Sequence, residues 1–479
     1  MKPTKTNYAT VAHSMPAGDH AGRSPRRFAE FDARYIWASL LFALGGGFSL
    51  GAYLGWQIGF QGNLPDDLPV WIQVHGHLQL VGWVSLFVVG VSLFFLPRLA
   101  GTPIQRKAWH AGILPLIVVG LAGQSLARLL FSHASASERL GLRMVIAVAG
   151  VAEWLGLVGY ITMLAPVALH RSRNKNAGLE KLRPFFLMMI GGWIAYATLS
   201  AVFALVMAVN SNMVAPRGWD RWAVDVELML VLFPVAYAFS VRNLPYFLYL
   251  PPVAAPVVRW GWAYGAATLL ALTGMDPWIL AAAPKLALTL TAVGRAAMDV
   301  IMLRLVWDLN VFVRTRPLPY ILAEKSPINP NPPPRPWRFW FDHASWGRPE
   351  WLIRGAYVWL AFGTLLDFAA AVGHLAGARV NFVSDLLRHV FLLGFITPLI
   401  LGMAQKMVPG FLHKGRIAFP GMSLWVFLLI NASVLGRTLP LLLPTFQSAA
   451  LYGLAFSGPL ALAALALFGW NLWATARLA

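Results

Sequence analysis

The 479-residue chain contains no cysteine. Disulfides, thiolate metal centres, cysteine-ligated iron–sulfur clusters and covalent c-type haem attachment are therefore excluded, and any haem would have to be held non-covalently. Charge is also scarce. Asp, Glu, Lys and Arg make up 12% of the residues against 58% hydrophobic ones, and the mean hydropathy is +0.62. Soluble domains carry about 25% charged residues, so the composition excludes that class and indicates a polytopic membrane protein. Acidic residues are the rarer sign, 19 against 38 Lys and Arg, for a formal net charge of +19. In a membrane protein such an excess gathers in cytoplasmic loops facing anionic lipid, so the bilayer is the expected partner and nucleic acid is not.

What is present is apolar sequence in helix-length runs. Crossing a bilayer core takes about 17–25 residues of helix, and twelve segments of suitable length lie between residues 36 and 474. The expected fold is all-α, a polytopic bundle of about twelve transmembrane helices. The seventh segment, 257–273, is short, and the eighth, 277–303, carries Lys285 and Arg295. Residues 1–35 read as a basic cytoplasmic tail with no apolar run, rather than a signal peptide. Residues 36–303 hold helices one to eight and 353–474 hold helices nine to twelve. Between them, 304–352 includes "SPINPNPPPRPW" and reads as a proline-rich cytoplasmic linker. Lys and Arg fall mainly in the loops on the N-terminal side, which predicts both termini in the cytoplasm.

Three segments share a register. "HLQLVGWVSLFVVGVSLFFLP" from His77, "DVELMLVLFPVAYAFSVRNLP" from Asp225 and "HVFLLGFITPLILGMAQKMVP" from His389 each begin with an ionisable residue and end in proline twenty positions later. They are helices two, six and ten, so the chain reads as three four-helix pseudo-repeats. All three run from outside to inside, which puts their polar first residues on one membrane face. Arg128, Glu153, Glu227, Asp367 and His374 fall in the same half. Ionisable groups in a bilayer cost about 2.5–3.5 kcal/mol each on insertion scales and normally face an interior site.

Four of the eleven histidines, His75, His77, His374 and His389, lie at or near outer helix ends. Neutral imidazole ligates haem iron and copper, and two imidazoles from facing helices can form an axial pair. His75 and His77 cannot both serve one iron easily, because residues two apart on a helix point about 200° apart. The register selects His77 and His389 as ligands of a haem b. His75 is left to bind a second metal, to hydrogen-bond a propionate, or to shape the helix entry. Arg388 reads equally as a propionate partner or as a snorkelling cation. In helix six, Asp225 and Glu227 stand where the other two helices carry histidine. They are candidates for metal ligands, proton carriers, or ion-pair partners of Arg217 and Arg221. The candidate metal set is therefore His75, His77, His374, His389 and Glu227.

"HGHLQLVGW" and "RHVFLLGFITPLILGMAQKMVPGFLHKGR" resemble the two signatures of the NnrS family, and "FSVRNLPYFL" resembles the Arg- and Pro-bearing inner end of its central helix. The resemblance implies a twelve-helix protein of the bacterial inner membrane, containing haem and copper and linked with nitric oxide and a redox partner. The helix plan is also similar to the catalytic subunit of haem-copper oxidases and nitric oxide reductases. The departures are specific. Helix six has Asp225 and Glu227 in place of histidine, helix seven has no histidine, and helix ten has only His389. A three-histidine copper centre, and with it proton-pumping oxygen reduction, is therefore not expected. The family's His-Ala-Leu is His389-Val390-Phe391 here, and its His-Thr-Gly-Arg is replaced in "LHKGR".

The expected function is a membrane haem protein of NnrS type that binds nitric oxide or a related diatomic, or relays electrons in nitrogen-oxide metabolism. Two rivals are a cofactor-free transporter or channel and a non-catalytic haem subunit of a respiratory complex. Whether the purified protein is coloured separates the first rival from the haem readings.

Overall fold

The computed structural model describes residues 28–61, 65–104, 107–170, 179–248, 250, 253–254, 256–312, 343–378, 384–442 and 447–478. Among them there is no strand, and twelve long helices make up the body: α1 (Arg34–Phe60), α2 (Leu68–Ala100), α3 (Trp109–His133), α4 (Ala136–Ala168), α5 (Glu180–Asn210), α6 (Arg217–Pro245), α7 (Val257–Met275), α8 (Pro284–Leu309), α9 (Pro349–Leu375), α10 (Asp385–Phe411), α11 (Met422–Leu442) and α12 (Leu451–Ala476). Eleven are long and apolar enough to cross a membrane. The expected plan of about twelve helices stands, and the short seventh, α7, 19 residues long with its apolar run interrupted by Arg259, Trp260, Trp262 and Tyr264, is the one that falls below that measure. The eighth helix also starts later than expected. Asp276 caps a separate short helix, Pro277–Ala282, by accepting from the Trp278 and Ile279 N–H groups, and Ala283 then breaks the chain at φ −143°. Residues 313–342, most of the expected linker 304–352, lie outside the described residues. Its described ends hold the last turn of α8, the short helix His343–Trp346 and the start of α9.

The repeat is visible in the geometry. Helices α2, α6 and α10 are the innermost, with 78%, 72% and 72% of their most apolar stretches buried, against 28–50% for the other eight spans. Each contains a π-helical stretch just after the polar residue of the register: Leu78–Ser85, Glu227–Leu232 and Val390–Ile396. Such insertions rotate the side chains before them relative to those after them and recur at functional sites. The prolines also act alike. Pro97, Pro245 and Pro409 sit inside the last turn, and their carbonyls accept the N–H five residues on, from Thr102, Leu250 and Lys414 at 3.0, 2.8 and 2.8 Å. Gly101 and His413 take the left-handed conformation at the equivalent place, φ 62° and 57°, the closure that satisfies the last carbonyls of a helix.

Within each unit the third and fourth helices, α3 with α4, α7 with α8 and α11 with α12, form the closest pairs. Hydrocarbon lipid offers no hydrophobic drive between helices, so close approach of small residues supplies the attraction. A Cβ at Gly120 would lie 2.6 Å from Glu153 N, one at Gly294 2.4 Å from Ala271 N, and one at Gly436 2.8 Å from Gly453 O. The central triad is cross-linked by polar contacts. Trp83 of α2 donates to Thr397 of α10 at 3.4 Å, and Ser85 donates to Glu227 of α6 at 3.0 Å.

Candidate functional site

A cavity of about 280 Å³ lies among the N-terminal ends of α2, α6 and α10, bounded also by α1, α3, α5, α11 and α12. His75, His77, Arg388 and His389 all line it. The structure thus brings together four of the six candidate cofactor and metal residues, with Arg128 beside them.

The two histidines of α2 diverge, as their spacing requires. His75 turns to α1, where its Nδ1 lies 2.8 Å from the Gly47 carbonyl oxygen. That approach depends on Gly51, where a Cβ would come within 2.8 Å of the His75 ring. His77 turns to α4 and α5. Its Nε2 lies 3.0 Å from Glu153 Oε2 and its Nδ1 3.3 Å from the Tyr196 hydroxyl. Gln124 donates to the same carboxylate oxygen at 3.0 Å. Both ring nitrogens of His77 are therefore engaged by protein groups, and serving as a ligand would mean giving one up.

His389 resembles His75, not His77. Its Nδ1 is 2.8 Å from the Asp385 carbonyl oxygen and 3.2 Å from Oδ1 of the same residue. The other Asp385 oxygen accepts from Arg437 Nη2 of α11 at 2.7 Å. A backbone carbonyl can only accept, so Nδ1 carries the proton in both His75 and His389 and the lone pair is left on Nε2. Among the described residues neither Nε2 has a hydrogen-bond partner. Anchoring one imidazole nitrogen on an acceptor is how metal-binding histidines are oriented and made more basic. Among the residues singled out from sequence, only these two offer a free imidazole nitrogen to this cavity.

Arg388 donates to the Arg221 carbonyl at 2.9 Å and to Asp225 Oδ1 at 3.3 Å. The partner of Asp225 is thus Arg388, in place of the side chains of Arg217 and Arg221 considered from sequence. Glu227 is buried away from the cavity lining; its Oε1 accepts from Ser85, and its Oε2 has no partner among the described residues. His374 lines a second cavity of about 220 Å³ among α6, α8, α9 and α10, shared with Asp225, Arg388, Arg295 and Asp367. There Arg295 grips Asp367 with two contacts, Nε to Oδ2 at 2.9 Å and Nη2 to Oδ1 at 2.8 Å, which explains how a cation is carried by the eighth helix. Among the described residues no group of three or more His, Asp or Glu side chains is placed to hold a metal ion. The five candidates are divided: His75, His77 and His389 line the first cavity, His374 the second, and Glu227 neither.

Several site residues escaped the sequence reading. Asp385, four residues before His389, carried a helical-spacing signal. Arg437, Tyr196, Gln124 and Gly47 carried none, because each meets its histidine or carboxylate across tens of residues of chain. Gln73 is similar: it accepts from Arg128 at 2.7 Å and donates to the Ala215 carbonyl at 3.0 Å, tying α2 to α3 and the α5–α6 loop.

No protein-family model matches the sequence, and no curated protein matches it. Among solved structures, a heme-copper terminal oxidase, determined as a dimer by cryo-EM, superposes with a TM-score of 0.60 at 13% identity, covering 93% of this chain and 83% of that one. The chain is an all-helical membrane protein with a haem-copper-oxidase-like fold.

Proposed function

We propose that the protein is a membrane haem protein of NnrS type that holds one haem b between α2 and α10 and relays electrons in nitrogen-oxide metabolism. The observation that carries this reading is the matched pair of imidazoles. His75 and His389 each have Nδ1 fixed on a backbone carbonyl and a free Nε2, and both line one cavity. They replace the pairing of His77 with His389 suggested by the register, because His77 is already held at both nitrogens. The cavity, about 280 Å³, falls just below the range of ligand and cofactor sites, about 300–1,000 Å³. Arg128, Arg388 and Arg437 line it, and guanidinium groups of this kind pair with carboxylates such as the two of a haem. Held by both imidazoles, a haem would supply one-electron transfer, and electron relay is favoured over nitric oxide binding. In this reading His75 and His389 bind, the Gly47 and Asp385 carbonyls orient them, and Asp385 couples His389 to Arg437. Both termini face the cytoplasm of a bacterial inner membrane, and the histidine ends of α2, α6 and α10 face outward toward a redox partner. No copper is required.

The test is the visible spectrum of the purified protein with a pyridine haemochrome assay. Wild type should show a b-type haem, His75→Ala and His389→Ala should lose it, and His77→Ala should retain it. Loss in His77→Ala with retention in His75→Ala would restore the register-based pair and sink this one.

A further inference from the structure

Residues 211–216 join α5 to α6 at the cavity that holds the histidines. Ser211, Asn212 and Pro216 are exposed, whereas Met213 and Ala215 are buried, and Ala215 lines the cavity beside Gln73, Arg128 and Asp220. A buried backbone must find partners, and two side chains from other helices supply them. The Gln73 amide of α2 pairs with Ala215 as a neighbouring strand would. Its Oε1 accepts from the Ala215 N–H at 2.9 Å, and its Nε2 donates to the Ala215 carbonyl at 3.0 Å. Arg128 of α3 donates from Nε to the Met213 carbonyl at 3.1 Å and from Nη2 to the same Gln73 oxygen at 2.7 Å. Within the loop the Asn212 side chain accepts from the Val214 N–H at 3.1 Å. Among the described residues, Gln73 and Arg128 make every hydrogen bond that ties the loop to protein beyond the two helices it joins.

Arg128 gives this closure its bias. It is 7% exposed, and its two partners are a backbone carbonyl and an amide oxygen, both neutral. No carboxylate of the described residues forms an ion pair with it, and Asp220, which lines the same cavity, stands beyond that reach. A buried guanidinium without an ionic partner is costly, and lifting the loop would return it to water. Ser211, in the left-handed region at φ 56°, ends α5, and Pro216 caps α6, so the loop is bounded sharply on both sides. We propose that residues 211–216 are a lid on the cavity, latched by Gln73 and Arg128, and that its opening admits small polar solutes from the aqueous phase at this end of the bundle. Only bonds from side chains to loop backbone break, so the helices keep their places, as in other local openings. The lid does not rest on haem binding, since loop, latch and cavity wall are all protein.

The absence of cysteine makes the lid directly testable. In the detergent-solubilised full chain, Ala223→Cys puts a thiol on the cavity wall, and Ala404→Cys puts one at a buried position of α10 outside that cavity. A sulfonated maleimide should label Ala223→Cys slowly. Adding Gln73→Leu, which strips Ala215 of both partners, should speed that labelling by about tenfold or more, the effect of losing one or two net hydrogen bonds. Ala404→Cys should stay unlabelled in both backgrounds, so that the gain at Ala223→Cys reports opening. In wild type, hydrogen exchange of residues 213–215 should be about tenfold faster than that of the first turns of α6. Unchanged labelling of Ala223→Cys in folded Gln73→Leu protein would overturn the proposal. If Gln73→Leu unfolds and labels Ala404→Cys as well, the wild-type exchange decides alone, and a loop that exchanges as slowly as α6 would overturn the proposal too.

Discussion

His75 and His77 are two residues apart and belong to different neighbourhoods. One is held by a carbonyl of α1, the other by a carboxylate of α4 and a phenol of α5. The difference has a direct test at Gly51, where any Cβ meets the His75 ring at 2.8 Å. Gly51→Ala should reduce haem retained per protein by about tenfold, the low end of the roughly 10–100-fold typical of groups that support a metal ligand. Gly45→Ala should leave it unchanged, since a Cβ there meets nothing within 4 Å. The haemochrome-to-protein ratio of the two variants reads both outcomes. Asp385→Asn should also lower that ratio, because the variant loses the charge that joins Arg437 to His389. At this scale the sequence told half the story. The divergence of the two histidines followed from helix geometry, but which of them keeps a free nitrogen depends on Gly47, Glu153 and Tyr196. The last two lie 76 and 119 residues from His77, and no local pattern announces them.

Among the elements, the threefold plan was legible because its markers are local: an ionisable residue at one end of the helix, a proline twenty positions on, and apolar sequence between. The identical closing bonds at Pro97, Pro245 and Pro409 give that pattern a physical cause. The π-helical stretches were not legible, since nothing in an apolar run marks a change from four-residue to five-residue closure. The late start of α8 was marked by Asp276-Pro277 and Pro284, a cap and two helix-starting prolines that hydropathy alone passes over. The pairing of third and fourth helices makes a further prediction. Gly294→Val, which would press a side chain into the α7 backbone at Ala271, should cost about 1–3 kcal/mol, the usual range for overpacking. Gly410→Ala, with nothing within 4 Å of its Cβ, should cost far less. Thermal midpoints of the two solubilised variants, measured side by side, check the ordering.

At the scale of the whole molecule, the cavities lie around the three central helices, and their chemistry changes along the axis. The two at the histidine ends carry arginines, carboxylates and imidazoles, and another nearer the proline ends is almost wholly hydrocarbon. The absence of cysteine makes the proposed orientation simple to test. With a membrane-impermeant maleimide, Asn212→Cys, in the exposed loop between α5 and α6, should label in intact cells. Gly415→Cys, beyond the proline end of α10, should label only after permeabilisation. The reverse pattern would invert the topology. A haem held between His75 and His389 would be read out by low-temperature electron paramagnetic resonance of the oxidised, purified protein. Wild type should give a low-spin ferric signal that becomes high-spin, or disappears with the haem, in both His75→Ala and His389→Ala. A low-spin signal that survives either substitution, or the absence of haem from fully loaded wild type, would contradict it.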